Sequence, residues 1–109
     1  MKTEFKKQSD APIYMEGPEV CRVYYKTDKI TFGSSQLNPG QTGAEDPGHP
    51  NSHEVFFCSR GSVLLRVGEE YIEMHEGDAV LVPPVLSHQL TNIGLDIALV
   101  TWSLAPSEM

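Results

Sequence analysis

Two short stretches of this chain gather residues that could hold a metal ion. The first is His49-Pro50-Asn51-Ser52-His53-Glu54, closed by Gly61. The second runs from Gly77 through Pro83 and His88 to Asn92. Three of the four histidines fall in these stretches. Imidazole nitrogen and carboxylate oxygen both suit a first-row divalent metal, so the leading expectation is a pocket built around one such ion. The fourth histidine, His75, lies in the turn Met74-His75-Glu76-Gly77 and reads as a surface residue. Cys21 and Cys58 lie far apart and form no Cys-x-x-Cys, so both read as small buried hydrophobes. Cys58 would become reactive only if a metal or cations lowered its pKa.

The elements that must position these residues read as strands. Val20 to Tyr25 is rich in β-branched and aromatic residues, and Lys29 to Leu37 follows, stopped by Asn38-Pro39-Gly40. Residues 41 to 52 are expected to be a loop, because Gly43, Pro47, Gly48 and Pro50 exclude regular structure. Glu54 to Ser59 is a strong strand, Gly61 turns the chain, and Val63 to Val67 continues it. Gly68-Glu69-Glu70 signals a hairpin into Tyr71 to Met74. Ala79 to Val82 is a short apolar strand ended by Pro83-Pro84, and residues 88 to 92 and 96 to 104 complete the set. There is no convincing amphipathic helix, no repeat and no low-complexity tract. The expected fold is all-β, a jelly-roll barrel of roughly six to ten antiparallel strands. The expected organisation is an arm over residues 1–18, a barrel over 19–105 and a tail over 106–109.

Bulk properties narrow the function. A chain of 109 residues is one domain with a modest core, and pairing with a second copy would help it. The net charge of −7 and the scattered cations give no basic face, which argues against nucleic-acid binding. No apolar run approaches the ~18 residues of a membrane span. The polar, Lys-rich start has no apolar stretch suited to a secretion signal, so the cytoplasm is the expected compartment. The apolar strand Val20 to Tyr25, with the arm before it, could cover a partner's sheet edge, and a homodimer is expected.

Both stretches resemble the two motifs of the cupin family, in its small single-domain, RmlC-like form. The first motif carries two histidines one residue apart, then a Glu, then a Gly at the following turn. Glu54 and Gly61 have the family spacing, and His49 falls on the family's second histidine. Gly77, Pro83, His88 and Asn92 match the second motif, with Val85 where a Gly is usual. The resemblance implies a double-stranded β-helix fold and a divalent metal (Zn, Fe, Mn, Ni or Co). It implies three ligands, His49, Glu54 and His88, because Pro47 stands where the family's first histidine belongs. His53 could replace that ligand only if a bulge re-aimed it, since it neighbours Glu54 and should face the other way.

Alternation also suggests the pocket walls. If Glu54 points inward, so do Phe56 and Cys58; if His88 does, so do Leu90 and Asn92. Gln36 and Ser34, before the Pro39-Gly40 turn, are candidate polar partners. Phe56 and Leu90 also fit plain core packing, and Trp102 reads as core or dimer interface. The expected pocket residues are thus Gln36, Phe56, Cys58 and Asn92, around a small-molecule ligand. Three readings compete. One is a small metal-dependent enzyme of lyase, isomerase or dioxygenase class, with His53 the best candidate for a general base. The second is a non-catalytic binding or sensory module, with or without metal. The third is a metal-free structural relic, which only Pro47 suggests.

Overall fold

The computed structural model describes residues 2–108. Their strands are β1 (Ile13–Glu16), β2 (Glu19–Lys26), β3 (Thr31–Leu37), β4 (His53–Arg60) and β5 (Val63–Val67), then β6 (Glu70–Met74), β7 (Ala79–Val82), β8 (His88–Asn92) and β9 (Ala98–Ala105). A short 3-10 turn at Gln8–Asp10 precedes them. No α-helix occurs among the described residues. Six strands form one sheet in the order β1-β2-β3-β9-β4-β7, and three form a second, β6-β5-β8. All pairings are antiparallel, giving the expected jelly-roll barrel.

The core lies between the sheets, where alternation sends one face of each strand. In β4, Glu54, Phe56 and Cys58 are buried while His53, Val55 and Phe57 are exposed. In β9, Ala98, Val100, Trp102 and Leu104 are the buried set. Leu65, Val63 and Met74 meet them from the smaller sheet, all fully buried.

Among the strand boundaries that differ from expectation, two do so for identifiable local reasons. Residues 13–16, expected within an arm, form β1 and pair with β2 through the two-residue turn Gly17-Pro18. Gly17 supplies the positive φ of 62° that such a turn requires. The last strand begins at Ala98 instead of residue 96. Asp96 is held outside it, its Oδ1 accepting the Ile97 amide at 2.7 Å and its Oδ2 the Arg60 guanidinium at 3.0 Å.

The long connection between β3 and β4 is the element that shapes the site. It runs beside β8 and hydrogen-bonds to its edge. Gly43 N–H donates to the Leu90 carbonyl at 2.9 Å, and Asn92 N–H to the Gln41 carbonyl at 2.9 Å. Isolated bridges join Thr42 to Thr91 and Asp46 to His88. The segment therefore caps the free edge of the smaller sheet, an edge that would otherwise expose unpaired amides.

The turn between β7 and β8 carries a backbone strain. Val85 adopts φ 70°, a left-handed conformation that is costly for a β-branched residue. Its amide donates to the His49 carbonyl at 2.8 Å, which ties this turn to the loop below it. This is the position where the sequence pattern has Val in place of the usual Gly. Val85→Gly should raise stability by about 0.5–1 kcal/mol, the strain relieved less the added chain entropy of Gly. That is roughly 2–6 °C in Tm by thermal denaturation; a lower Tm would show that Val85 is not strained here.

Candidate metal centre

Asp46 and His88 exchange both backbone hydrogen bonds, Asp46 N–H to His88 O at 2.8 Å and His88 N–H to Asp46 O at 2.9 Å. Residues paired in this way project their side chains to the same face. Asp46 and His88 are thus brought together by the ladder itself. Oδ2 of Asp46 lies 3.7 Å from Nε2 of His88 and 3.5 Å from Nε2 of His49. Asp46, His49 and His88 each offer one ligand atom, all within 4.8 Å of one another.

Glu54 enters from β4 on the neighbouring sheet. Its Oε1 lies 3.1 Å from His88 Nε2 and 3.5 Å from His49 Nε2. Glu54 therefore approaches both imidazoles that Asp46 also approaches, which brings together His49, Glu54 and His88, the three residues singled out by the motifs. Asp46 was missed because residues 41–52 read as loop, where strand parity gives no guidance. Its position three residues before His49 was the available signal. It supplies an oxygen beside the place where Pro47 cannot, a candidate donor in addition to the three expected. His53 does not join it. β4 pairs regularly with β9 from His53↔Ala105 onward, and the register shift comes only between Cys58 and Arg60. His53 is exposed on the far side from Glu54, which also removes it as a base for this site. His75 is a surface residue as expected, bonded to Glu73 and Ser62.

The chemistry of this donor set fits a divalent ion. The Leu86 carbonyl, 3.1 Å from His88 Nδ1, can only accept, so Nδ1 carries the proton and Nε2 presents its lone pair. That lone pair faces Glu54 Oε1, which is buried and has no hydrogen-bond partner. A buried acceptor left alone is costly, and a shared cation or proton removes the cost. The electrostatics of His88 agree. Burial pulls its pKa down, but the close carboxylate of Glu54, the Leu86 carbonyl and the charge of Asp46 outweigh it and hold the pKa above the usual value. Protons and metals compete for such a nitrogen. Phe56 packs against His88 in a T-shaped arrangement, centroids 5.3 Å apart, and so limits the imidazole's rotation.

These groups line a cavity of about 420 Å³. Its apolar wall includes Val23, Phe56, Leu90, Trp102 and Leu104. Of the four expected pocket residues, Phe56 alone lines it. Gln36 has the wrong parity on β3, where Thr31 and Ser35 face inward instead. Ser34 shares the outer face with Gln36. Cys58 lies farther along β4, fully buried, its Sγ near the Arg60 and Gly61 carbonyls. Burial raises its pKa, so it is an inert thiol. Asn92 is a structural tie, its Nδ2 donating to the Leu37 and Asp96 carbonyls and its Oδ1 accepting the Gly94 amide. Trp102 is a cavity wall with its Nε1 donating to Ser35 Oγ at 3.0 Å.

Gly48 holds the loop that carries Asp46 and His49 close. It sits at φ 98°, and its amide donates to Asp46 Oδ1 at 2.8 Å. A Cβ there would meet the Leu86 carbonyl oxygen at 2.7 Å and Val85 C at 2.8 Å, both backbone. Gly40 also has positive φ but nothing within 4 Å. Gly48→Ala should therefore cost about 1–3 kcal/mol of stability and about tenfold in metal affinity. Gly40→Ala should cost only the conformational share, about 1 kcal/mol, and leave affinity unchanged. Calorimetric metal titration of both variants checks this.

Comparison with known proteins agrees with the fold and the motifs. The chain is similar to the glucose-6-phosphate isomerases of Thermococcus kodakarensis, at 32% identity over 96 residues, and Thermococcus litoralis, at 34% over 94. These alignments cover 72% and 71% of this chain but 51% and 50% of the relatives, so the chain spans about half their length. Its fold superposes on an RmlC-like cupin from Shewanella frigidimarina with a TM-score of 0.80, at 15% identity, covering 98% of this chain and 94% of that one. The cupin domain model matches residues 33–104, from β3 to β9 and across the whole connection that carries Asp46 and His49. The chain belongs to the cupin family.

Proposed function

We propose that this chain is a metal-dependent enzyme of isomerase or lyase type, acting on a small oxygenated carbonyl compound. The observation that carries this reading is the meeting of two imidazole nitrogens and two carboxylate oxygens in the wall of one cavity. Among the classes open to such a site, similarity to two glucose-6-phosphate isomerases favours the isomerase. His49, Glu54, His88 and Asp46 would hold the ion, a mixed N/O set suited to Zn, Fe, Mn, Ni or Co over Ca or Cu(I). Bound there, it would polarise a substrate carbonyl or hydroxyl as a Lewis acid. The protein's own part is positional. Asp46 and His88 are locked by the ladder, His88 is steadied by Phe56 and Leu86, and the apolar wall limits water at the reacting atoms. Two buried free thiols, Cys21 and Cys58, are in keeping with a reducing compartment such as the cytoplasm.

Metal content tests this directly, in protein purified without added metal. His88→Ala and Asp46→Ala should each lose most of the metal, by about 10–100-fold in affinity, whereas His75→Ala should match the parent. Equal occupancy in all three would place the metal elsewhere. Aldose–ketose interconversion, followed in the same preparations, should track the occupancy.

The enzyme works as a homodimer in this reading. The outer face of the six-stranded sheet carries exposed Ile13, Met15, Val55, Phe57 and Leu81. Arg22 shares that face through its pairing with Ile13, and its Nε and Nη1 are buried without a hydrogen-bond partner. A second copy would cover the apolar patch and bring acceptors to the guanidinium. Light scattering at micromolar concentration should give a dimer mass, and Leu81→Glu should shift it to monomer.

A further inference from the structure

The charge around the cavity restricts what the proposed active site can take. Five carboxylates line it, from Glu16, Glu19, Asp46, Glu54 and Glu108. Against them stand the two imidazoles and one ammonium, Lys26; no arginine is among the described lining residues. A divalent ion would offset Asp46 and Glu54 and leave the other three. Trp102 Nε1–H is already committed to Ser35. A phosphate dianion binds where cations or several free N–H donors converge, as an arginine fork or a helix N-terminus provides. This cavity offers neither, and the carboxylates of Glu16 and Glu108 would repel the dianion.

A second observation concerns Glu19, which none of the metal chemistry uses. It is 8% exposed, at the start of β2, in the same cavity. Gly43 packs so closely on it that a Cβ there would collide with Glu19 Oε1. The loop that carries Asp46 is thus built around this carboxyl. Cys21 Sγ lies 3.5 Å from Glu19 Oε2 and 3.6 Å from Ser35 Oγ. These groups form a polar wall on β2 and β3, while the metal donors come from β4, β8 and the loop. Burial raises the pKa of Glu19; hydrogen bonds from Ser35 and Cys21 oppose this, and the charges of Glu16 and Asp46 add to it, with a net shift upward. A carboxyl moved toward its neutral form can both donate and accept, which matches a hydroxyl group.

We infer that the cavity takes an uncharged polyhydroxy compound such as a free sugar, held by the metal and by Glu19, and discriminates against its phosphate ester. This rests on the metal-dependent reading above. The test is calorimetry on the full chain, first with Mn²⁺ alone, then with D-glucose, D-fructose and the 6-phosphate of each. At least one free sugar should bind, about tenfold or more tighter than its phosphate. Glu19→Ala should weaken that binding about tenfold, and Glu19→Gln, which also donates and accepts, should stay within about threefold of the parent. Equal or tighter binding of a sugar phosphate to the Mn²⁺-loaded chain overturns the inference. So does failure of both free sugars to bind it, or a Glu19→Gln loss as large as that of Glu19→Ala. Absence of Mn²⁺ binding in the first step is a separate result, and it overturns the functional reading together with the inference.

Discussion

Two backbone hydrogen bonds between Asp46 and His88 hold the candidate site together. Without them the 41–52 segment would be an ordinary surface loop, rich in Gly and Pro. With them, a loop carboxylate is set opposite a strand imidazole on the same face of a ladder. The other contacts follow from that pairing. The loop caps the edge of β8, Gly48 brings it against the turn at Val85 and Leu86, and the Val85 amide fastens His49. Glu54 then needs only the regular alternation of β4 to reach both imidazoles. The donors come from three places in the chain, but one local pairing sets their geometry.

The arrangement concentrates cost at the site. Glu54 Oε1 is buried without a hydrogen bond, and the Nε2 lone pair of His88 faces it. Val85 holds a left-handed backbone conformation close by. Such features are tolerated where surrounding structure over-determines them, and they cluster where function requires them. An ion shared by the carboxylates and imidazoles would remove the first of these costs. The tie from Val85 to His49 accounts for the second, because a turn that releases the strain must also keep that hydrogen bond.

The fold was legible in the sequence because its signals were local. Short runs bounded by Gly and Pro mark β5, β7 and β8 at 63–67, 79–82 and 88–92 to the residue. Parity also placed Glu54, Phe56 and His88 on inward positions. It failed where depth along a strand matters as well as side. Cys58 and Asn92 do face inward, yet they lie too far along their strands to reach the cavity. It failed on β3, where nothing in Ser34-Ser35-Gln36 tells which face is buried. Strand parity could not place Asp46, because its partner is in β8, forty-two residues on, and pairing at that separation leaves no periodic trace in a Pro- and Gly-rich loop.

The central claim is that one ion is held by the imidazoles of His49 and His88 with carboxylate oxygens of Glu54 and Asp46. X-ray absorption on the zinc-loaded chain counts imidazole ligands and separates sulfur from oxygen and nitrogen. Two imidazoles, with oxygen for the remaining donors and no sulfur, is the expected result. A third imidazole would bring His53 into the site against the strand register. A sulfur ligand would move the metal to Cys21 or Cys58, and fewer than two imidazoles would dissolve the centre described here.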